Sequence, residues 1–521
     1  MIHDSTFEEL AKILKGEVKT DEESLRHYSA DGSIFEVMPQ AVVFPSGQGD
    51  LFNLVKFIRE KKEAGMQVSL TARGKGTDLT GSPINEGIIV RFSGYFDKIL
   101  EIGDDFVRVE PGIVYGDLQK ELAKKGHWIP VNPASGEFCS VGGMAANNSG
   151  GTKSLKYGET RDYIRSLKVI LEDGVEIKTD QRPTTNDQRL QKLKSLIEDN
   201  RELITTHRPN VTKNASGYAL YELLEDFDLT QLFIGSEGTL GLIKEITFKT
   251  VPKPEEEGVI VGYFDELQKA GEAVTKLLPF NPCALEMVDR HIIDIVRKLE
   301  PSITESIPEP SPAIILFCEF DGSEEEVRAH IEKARPIMEE IATGVDFAFT
   351  PPKEEQLWQL RISSAKVIEH MQGIRRAVPL EIDAVVPPAN FIHYIEELSK
   401  IFNQFGFQFA TWGHAGDGNL HIRPIIDITS LEERGRLAPL ARTIYELVAR
   451  LGGSASGEHG DGLLSTPFLH LTYGKKMLQL FTEVKGIFDP LNMFNPLKKV
   501  GASVEDFNRF LRKDFATYYK G

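Results

Sequence analysis

Short apolar runs and amphipathic segments alternate through the first half of the chain. Apolar residues at helical spacing predict helices over residues 7–15, 51–61 and 114–125. Between them, β-branched runs bounded by glycine turns predict strands at residues 41–44, 68–70, 87–92, 106–109, 166–171 and 242–248. The first half is therefore expected to be a mixed α/β unit.

The pattern changes at residues 251–257, where prolines and consecutive glutamates predict a domain boundary. Two strand and helix pairs follow, at residues 259–264 with 265–278 and 314–320 with 323–341, around a proline-rich segment at 301–313 that predicts an exposed loop. Such units favour an α+β domain with an antiparallel sheet. Helices are predicted again over residues 431–451 and 474–488.

Length and composition narrow the class of protein. A chain of 521 residues predicts about three domains or subdomains. Its formal net charge is −18 without a basic block, so nucleic acid is not an expected partner. Cys139, Cys283 and Cys318 form no C-x-x-C pair, which excludes an iron–sulfur cluster built from this chain alone and favours a reducing compartment. We expect a cytoplasmic protein without a signal peptide or transmembrane segment.

Two glycine-rich histidine motifs near the C-terminal end carry the strongest chemical signal, at residues 413–421 and 457–462. Period-two alternation on a predicted strand places Asn419, His421 and Arg423 on one face. His414 and His421, seven residues apart, could bind a divalent, zinc-like cation together with Glu458. Three protein ligands would leave one coordination position of the cation open. His459 would then be free for proton transfer. The competing interpretation is that the two histidines only form hydrogen bonds within a loop.

Three glycine-rich loops lie in the first half, at residues 71–78, 140–151 and 235–241. Glycines let main-chain amides approach a phosphate, although one such loop alone is more often a tight turn. Neither the G-x-G-x-x-G fingerprint nor the G-x-x-x-x-G-K-[ST] loop is present. The usual nicotinamide and nucleoside-triphosphate folds are therefore not favoured.

These motifs resemble flavoproteins of the vanillyl-alcohol oxidase and p-cresol methylhydroxylase (PCMH) type, in the branch of glycolate oxidase flavin subunits, D-lactate dehydrogenases and D-2-hydroxyglutarate dehydrogenases. The resemblance rests on residues 73–78, 141–151 with 156–158, 171–174, 235–241, 494–498 and both histidine motifs. It implies an α+β fold with a two-subdomain PCMH-type FAD-binding domain and an antiparallel-sheet substrate (cap) domain. The expected units are an N-terminal helical segment (1–37), the FAD-binding domain (38–252), the cap domain (253–430) and a C-terminal helical segment that returns to the FAD site (431–521).

The resemblance also implies roles for individual residues. FAD would be bound non-covalently, because the first glycine loop has Lys75 and no histidine, and Cys139 is more simply a packed thiol than a flavin tether. The residues expected to bind FAD are Arg73, Gly74, Lys75, Gly76, Thr77, Asp78, Pro133, Ser140, Gly142, Gly143, Asn147, Asn148, Ser149, Gly150, Glu237, Gly238, Gly241, Ile243 and Asn495.

For the second site, the resemblance implies His414, His421 and Glu458 as metal ligands and His459 as the base. Arg361 and Arg376 match substrate-carboxylate positions.

Arg423 replaces an asparagine of the hydroxyglutarate pattern. Its His-x-Arg-Pro context resembles a subgroup associated with an iron–sulfur module. A guanidinium on the ligand face opposes a cation there, so Arg423 could bind a substrate carboxylate instead of accompanying a metal. Glu381 and Asp383 could position these groups or be structural.

The implied activity is oxidation of a D-2-hydroxy acid, of the D-lactate, glycolate or D-2-hydroxyglutarate class, to the 2-oxo acid by hydride transfer to flavin. Electrons would pass to an iron–sulfur subunit, a quinone or an electron-transfer flavoprotein, which could place the protein at a membrane through its partner. A homodimer is left open. The alternatives are a flavin-dependent ether-lipid synthase, a metal-dependent hydrolase without flavin, and a flavin scaffold subunit whose flavin does not depend on His459.

Overall fold

The computed structural model describes residues 4–180, 187–349, 351–369, 371, 374–380 and 382–514. Glu381 lies outside the described residues. The strands are β1 (Glu17–Lys19), β2 (Ala41–Phe44), β3 (Leu70–Arg73), β4 (Ile88–Arg91), β5 (Ile99–Ile102), β6 (Phe106–Val109), β7 (His127–Trp128), β8 (Ile164–Ile170), β9 (Glu176–Lys178), β10 (Leu242–Lys249), β11 (Val251–Pro252), β12 (Glu256–Phe264), β13 (Ala284–Asp289), β14 (Ile314–Gly322), β15 (Gly344–Ala348), β16 (Arg376–Ala377), β17 (Gln408–His414) and β18 (Asn419–Ile426).

The helices, apart from short 3₁₀ turns, are α1 (Asp4–Ile13), α2 (Glu22–Tyr28), α3 (Gln48–Glu63), α4 (Tyr115–Ala123), α5 (Val141–Asn147), α6 (Ser154–Tyr157), α7 (Gln188–Asp199), α8 (Arg201–Thr206), α9 (Leu229–Phe233), α10 (Leu267–Leu277), α11 (Arg290–Leu299), α12 (Glu324–Ile341), α13 (Pro351–Glu369), α14 (Phe391–Phe405), α15 (Leu431–Gly435), α16 (Leu437–Arg450), α17 (Gly462–Ser465), α18 (Leu469–Phe488) and α19 (Val504–Phe510). Within these described residues, no helix is both long and apolar enough to cross a membrane.

Apart from the two-stranded pair of β7 and β11, the described strands form two sheets in the first half of the chain. The first has the order β1-β2-β4-β3, with β2, β4 and β3 parallel. Its parallel strands are short and mostly buried, as expected where helices cover a parallel sheet. The second is antiparallel with the order β5-β6-β10-β8-β9. These two sheets agree with the expected α+β class and two-subdomain FAD-binding domain.

A seven-stranded antiparallel sheet, β15-β12-β14-β13-β17-β18-β16, forms the second half. Alternating residues face two cores: α10, α12 and α14 pack on one side of the sheet, and α11 and α13 on the other. This is the antiparallel cap sheet that the sequence predicts. The proposed domain limits at residues 37, 252 and 430 remain predictions.

Several elements differ locally from the sequence prediction. Residues 251–252 pair with β7, so the irregular link at the predicted boundary is only three residues long. The segment 301–313 begins with a 3₁₀ turn and buries Ile307, so it is not wholly exposed. Residues 431–451 form two helices because the chain turns at Arg436. His414, which lies in a glycine-rich motif, is nevertheless the last residue of β17.

Candidate active site

Two adjacent strands bring the first histidine motif together. His414 ends β17 and His421 lies in β18, and a tight connection at residues 415–418 joins the two strands. Gly418 is required in this turn: its φ is +71°, and a Cβ there would lie 2.1 Å from the carbonyl oxygen of Val386. The hairpin therefore places both imidazoles on the face of the sheet that α11 and α13 cover.

Three potential ligand atoms converge on one point. Glu458 Oε1 lies 3.0 Å from His414 Nε2 and 3.4 Å from His421 Nε2, and the two Nε2 atoms are 3.2 Å apart. Three electron-rich atoms at such distances repel each other unless a proton or a cation lies between them. Tetrahedral ligands at about 2.0–2.1 Å from zinc are separated by about 3.3 Å. The described residues thus fit a divalent cation with three protein ligands.

A buried carboxylate orients the first of these histidines. Glu286, on β13, accepts a 2.6 Å hydrogen bond from His414 Nδ1, which leaves Nε2 to face the convergence point. Although burial opposes the charge, Glu286 raises the pKa of His414 to about 9. Arg361, predicted to bind a substrate carboxylate, lies behind this pair, with Nε and Nη2 at 2.9 and 2.7 Å from Glu286 Oε2. Its predicted role remains a prediction.

Asp383 joins the two histidine motifs. Its Oδ2 accepts hydrogen bonds from Ser456 Oγ (2.9 Å) and from the main-chain amides of Glu458 and His459 (both 2.8 Å). Its Oδ1 accepts one from Asn419 Nδ2 at 2.8 Å. Burial would raise the pKa of Asp383, but the neighbouring histidines hold it below its usual value. The anionic side chain therefore sets the position of both motifs.

His459 lies at the edge of this cluster and is partly exposed. Its ring stacks on His421, with centroids 4.9 Å apart, and its Nε2 is 3.8 Å from Glu458 Oε1. The main-chain carbonyl of His459 accepts a 2.9 Å hydrogen bond from Asn147 Nδ2, which also donates to Asp78 Oδ1 at 2.7 Å. Asn147 thus connects the second histidine motif with the first and second glycine loops.

The first glycine loop has the features of an anion cradle. Within the described chain, the main-chain amides of residues 74–79 donate to no protein acceptor, and these residues are partly or fully exposed. Gly74 lies against Ser140, where a Cβ would be 1.9 Å from Oγ, so the first two loops are in contact. Adjacent free amides favour a phosphate group. The loop therefore fits the pyrophosphate of FAD.

Other residues predicted to bind FAD form hydrogen bonds within the protein itself. Arg73 is buried and donates to the carbonyl of Ala30 at 2.7 Å. Glu237 Oε1 accepts from the amide of Gly462 at 2.9 Å, and Asn495 Nδ2 donates to the Glu237 carbonyl at 2.7 Å. The Glu237 side chain thus joins the third loop to the second histidine motif, and the Asn495 side chain binds the main chain of the third loop.

The remaining predicted FAD residues fall into three groups. Lys75 is exposed, and Gly76, Thr77 and Pro133 are partly exposed. Ser140, Gly142, Gly143, Asn148, Ser149 and Gly150 lie in or beside α5, where Asn148 is buried and donates to the carbonyl of Asn214. Gly238, Gly241 and Ile243 lie at or before the start of β10. Burial raises the pKa of Cys139 to about 12, as expected for an inert packed thiol.

Two family profiles match this chain. The profile for the FAD binding domain matches residues 39–180, and the profile for FAD linked oxidases, C-terminal domain, matches residues 253–499. The first covers the exposed glycine loop, and the second covers all four residues of the histidine cluster. The chain belongs to the FAD-linked oxidases.

Several curated relatives of this FAD-linked oxidase are similar over most of its length. The glycolate oxidase subunit GlcD of Bacillus subtilis (strain 168) is 29% identical, over 90% of this chain and 91% of its own. The D-lactate dehydrogenase of Anaerostipes hadrus is 28% identical, over 88% and 89%. The D-2-hydroxyglutarate dehydrogenase of Pantoea ananatis (strain AJ13355) is 27% identical, over 94% of this chain but only 50% of that relative. This chain thus spans about half the length of the hydroxyglutarate enzyme.

A solved structure supports the fold of this FAD-linked oxidase. The 4-ethylphenol oxidase of Gulosibacter chungangensis superimposes with a TM-score of 0.69 at 15% identity, over 96% of this chain and 97% of that one. At this identity the likeness shows the PCMH-type fold alone.

The other two predicted substrate arginines lie further along the cap sheet. Arg423 is buried two residues beyond His421, and its guanidinium carbon is 5.4 Å from the centroid of the Trp412 ring. Arg376 pairs with Ile426 in the edge strand β16, five positions beyond His421, which is about 17 Å along a strand. Their roles in this FAD-linked oxidase remain predictions.

Sequence reasoning missed two residues of the site, Glu286 and Lys213. Glu286 had a usable signal, because it is a carboxylate within the otherwise apolar run Ala284–Val288 of a buried strand. Lys213, which donates to Glu458 Oε2 at 2.7 Å, lies in a polar loop without any pattern that marks it.

Proposed function

We propose that this FAD-linked oxidase dehydrogenates a D-2-hydroxy acid to the 2-oxo acid. The observation that carries the proposal is the triangle of His414 Nε2, His421 Nε2 and Glu458 Oε1 beside His459, joined through Asn147 to the glycine loop that fits FAD. A cation site, a base and a flavin cradle at one place are the parts that this oxidation requires.

Each part has a defined task. His414, His421 and Glu458 would hold a divalent cation, which makes the hydroxyl of a substrate bound to it more acidic. FAD, when bound, supplies the acceptor for the hydride that leaves C2 of the substrate. The substrate loses one hydride and one proton, and its C–O bond becomes a carbonyl.

His459 is the proposed base. Its Nε2 lies 3.8 Å from Glu458 Oε1, beside the convergence point, and would take the hydroxyl proton. Asp383 fixes the His459 main chain through its amide, and Asn147 fixes it through its carbonyl. This two-sided anchoring holds the main chain of His459 close to the glycine loop.

The substrate class follows from the cation site and from the names of the relatives. The hydroxyl of a 2-hydroxy acid can take the one open position of the cation, and Arg423, Arg361 and Arg376 are candidate partners for its carboxylates. The relatives named for glycolate, D-lactate and D-2-hydroxyglutarate share this 2-hydroxy-acid unit.

Reoxidation of the flavin requires an external acceptor. The three cysteines of the chain are buried free thiols, which are too few for an iron–sulfur cluster built from this chain alone. We propose an iron–sulfur protein, a quinone or an electron-transfer flavoprotein as the acceptor.

The test is anaerobic reduction of the purified, FAD-loaded and zinc-loaded protein. D- and L-lactate, glycolate and D- and L-2-hydroxyglutarate are added separately, and flavin absorbance at about 450 nm is followed. We expect the absorbance to fall with at least one D-acid or glycolate, and this loss to require zinc. A flavin that stays oxidised with the whole panel would refute the proposal.

Two additions to this experiment address the alternatives: the His459→Gln variant, and incubation with an acyl-dihydroxyacetone phosphate and a fatty alcohol. Flavin reduction that persists in His459→Gln would favour the scaffold subunit. No reduction by the acids, together with replacement of the acyl group by the alkoxy group of the alcohol and release of a fatty acid, would favour an ether-lipid synthase. Membership of the FAD-linked oxidases already argues against a hydrolase without flavin.

A further inference from the structure

A buried lysine lies behind the carboxylate that faces the two histidines. Lys213 Nζ is 2.7 Å from Glu458 Oε2, and only 1% of the lysine side chain is exposed. Removing an ammonium group from water is costly, so it is tolerated only with a close partner. Here the partner is the oxygen of Glu458 that does not point to the histidines.

The main chain around Lys213 is fixed on both sides. Thr212 Oγ1 donates to the carbonyl of Asp417, within the turn between the two histidines, at 3.0 Å. The amide of Asn214 donates to Glu159 Oε1 at 3.2 Å. Because both neighbours of Lys213 are held, its side chain reaches Glu458 from a fixed origin.

Gly150 closes another side of the same carboxylate. A Cβ at residue 150 would lie 2.8 Å from Glu458 Oε2 and 3.3 Å from the Cβ of Glu458. The Glu458 carboxylate therefore has little room to turn, and its Oε1 is directed towards His414 Nε2 at 3.0 Å.

We propose that Lys213 is a positioning residue that restricts Glu458 to coordination through one oxygen and thereby keeps the fourth position of the cation open for substrate. This inference rests on the proposed function. Carboxylates bind cations through one oxygen or through both, and an oxygen engaged by an ammonium group is a poor second ligand. A two-oxygen glutamate would fill the position that a catalytic cation must leave open.

The test uses cobalt as a spectroscopic probe in the full-length FAD-loaded protein. Wild type, Lys213→Met and Lys213→Arg are loaded with Co²⁺, and cobalt content and X-ray absorption at the cobalt edge are measured. These readouts depend on neither turnover nor flavin absorbance. Lys485→Met is the matched control, because Lys485 is also buried and pairs with a carboxylate, that of Asp489, and it contacts neither Glu458 nor the two histidines.

We expect equal cobalt content in all four proteins, and one additional oxygen neighbour of cobalt in Lys213→Met alone. Lys213→Arg should retain the wild-type spectrum, because it keeps a cationic donor. The concentration of the 2-hydroxy acid that half-reduces the flavin should rise about tenfold or more in Lys213→Met, in the range found when groups supporting metal ligands are removed. If Lys213→Met does not fold, Lys213→Gln replaces it with the same expected result, because its side chain is uncharged and one atom shorter than that of lysine.

An unchanged cobalt spectrum in Lys213→Met would overturn the inference and leave the proposed function intact. Loss of cobalt from Lys213→Met would also overturn it, because Lys213 would then support affinity and not the mode of coordination. A wild-type protein that takes up no cobalt would instead refute the metal site of the proposed function, and with it this inference.

Discussion

Replacing Asp383 by asparagine tests whether one buried carboxylate holds the two histidine motifs together. Oδ2 serves three donors, from Ser456, Glu458 and His459, and Oδ1 serves Asn419 Nδ2. An asparagine has one acceptor oxygen in the place of two. In one orientation, its oxygen accepts from Ser456, Glu458 and His459, and its NH₂ group faces the NH₂ group of Asn419. In the opposite orientation, its NH₂ group faces the three donors.

The first orientation costs less, and its cost can be worked from these contacts. Three hydrogen bonds change from charged to neutral, at about 1 kcal/mol each, and the contact with Asn419 is lost, at about 1 kcal/mol or more. The total is about 4 kcal/mol before relaxation. If half to two-thirds of this cost falls on the ligand geometry, the zinc affinity decreases by about 30- to 80-fold, since 1.4 kcal/mol corresponds to a factor of ten.

The assay is competitive zinc titration against a chelator, combined with FAD content and urea unfolding. We expect Asp383→Asn to bind FAD but to bind zinc about 30- to 80-fold more weakly. Asp289→Asn is the control: Asp289 is buried on the neighbouring strand β13 and caps α11 through the amide of Ile292 at 2.9 Å, a role that asparagine also performs. Zinc affinity of Asp383→Asn within threefold of wild type would show that Asp383 does not hold the ligands.

Three further changes test the site and its surroundings. His459→Gln should slow flavin reduction by about 10²–10⁴-fold in anaerobic stopped-flow, with zinc and FAD content unchanged; an unchanged rate would remove His459 as the base. Gly150→Ala should weaken zinc binding by about tenfold or more, because its Cβ would press on Glu458 Oε2 at 2.8 Å. Gly486→Ala is the control and should have no effect, since a Cβ at residue 486 would meet nothing within 4 Å. Equal zinc affinities of the two variants would contradict the packing argument. Burial raises the pKa of Glu159 to about 8, so the native state retains a proton that the unfolded chain loses near pH 4.5. The free energy of unfolding should therefore fall as the pH rises between about 5 and 8. Glu159→Gln should flatten this fall in urea unfolding, and a pH profile parallel to that of the wild type would refute the assignment.

Local sequence patterns were sufficient to predict the structure where neighbours in sequence are also neighbours in space. The runs Ala41–Phe44 and Phe106–Val109 were predicted with their observed bounds, because apolar strands between polar turns show their length directly. Period-two alternation likewise predicted that Asn419, His421 and Arg423 share a face of β18. Both histidine motifs were recognisable for the same reason: each is a short segment whose glycines and polar residues serve one turn.

The contacts that complete the site join distant segments, and only the tertiary structure decided them. Glu286 meets His414 because β13 lies next to β17, 128 residues away in sequence, and Lys213 meets Glu458 across 245 residues. Likewise, Asp383 reaches both histidine motifs because Val385 of its segment pairs with Asn419 of β18 and with Ser454. The sequence determined which groups are available for catalysis. The order of strands in the cap sheet decided which of them touch, because strand pairing depends on packing over the whole domain and leaves no local periodicity to read.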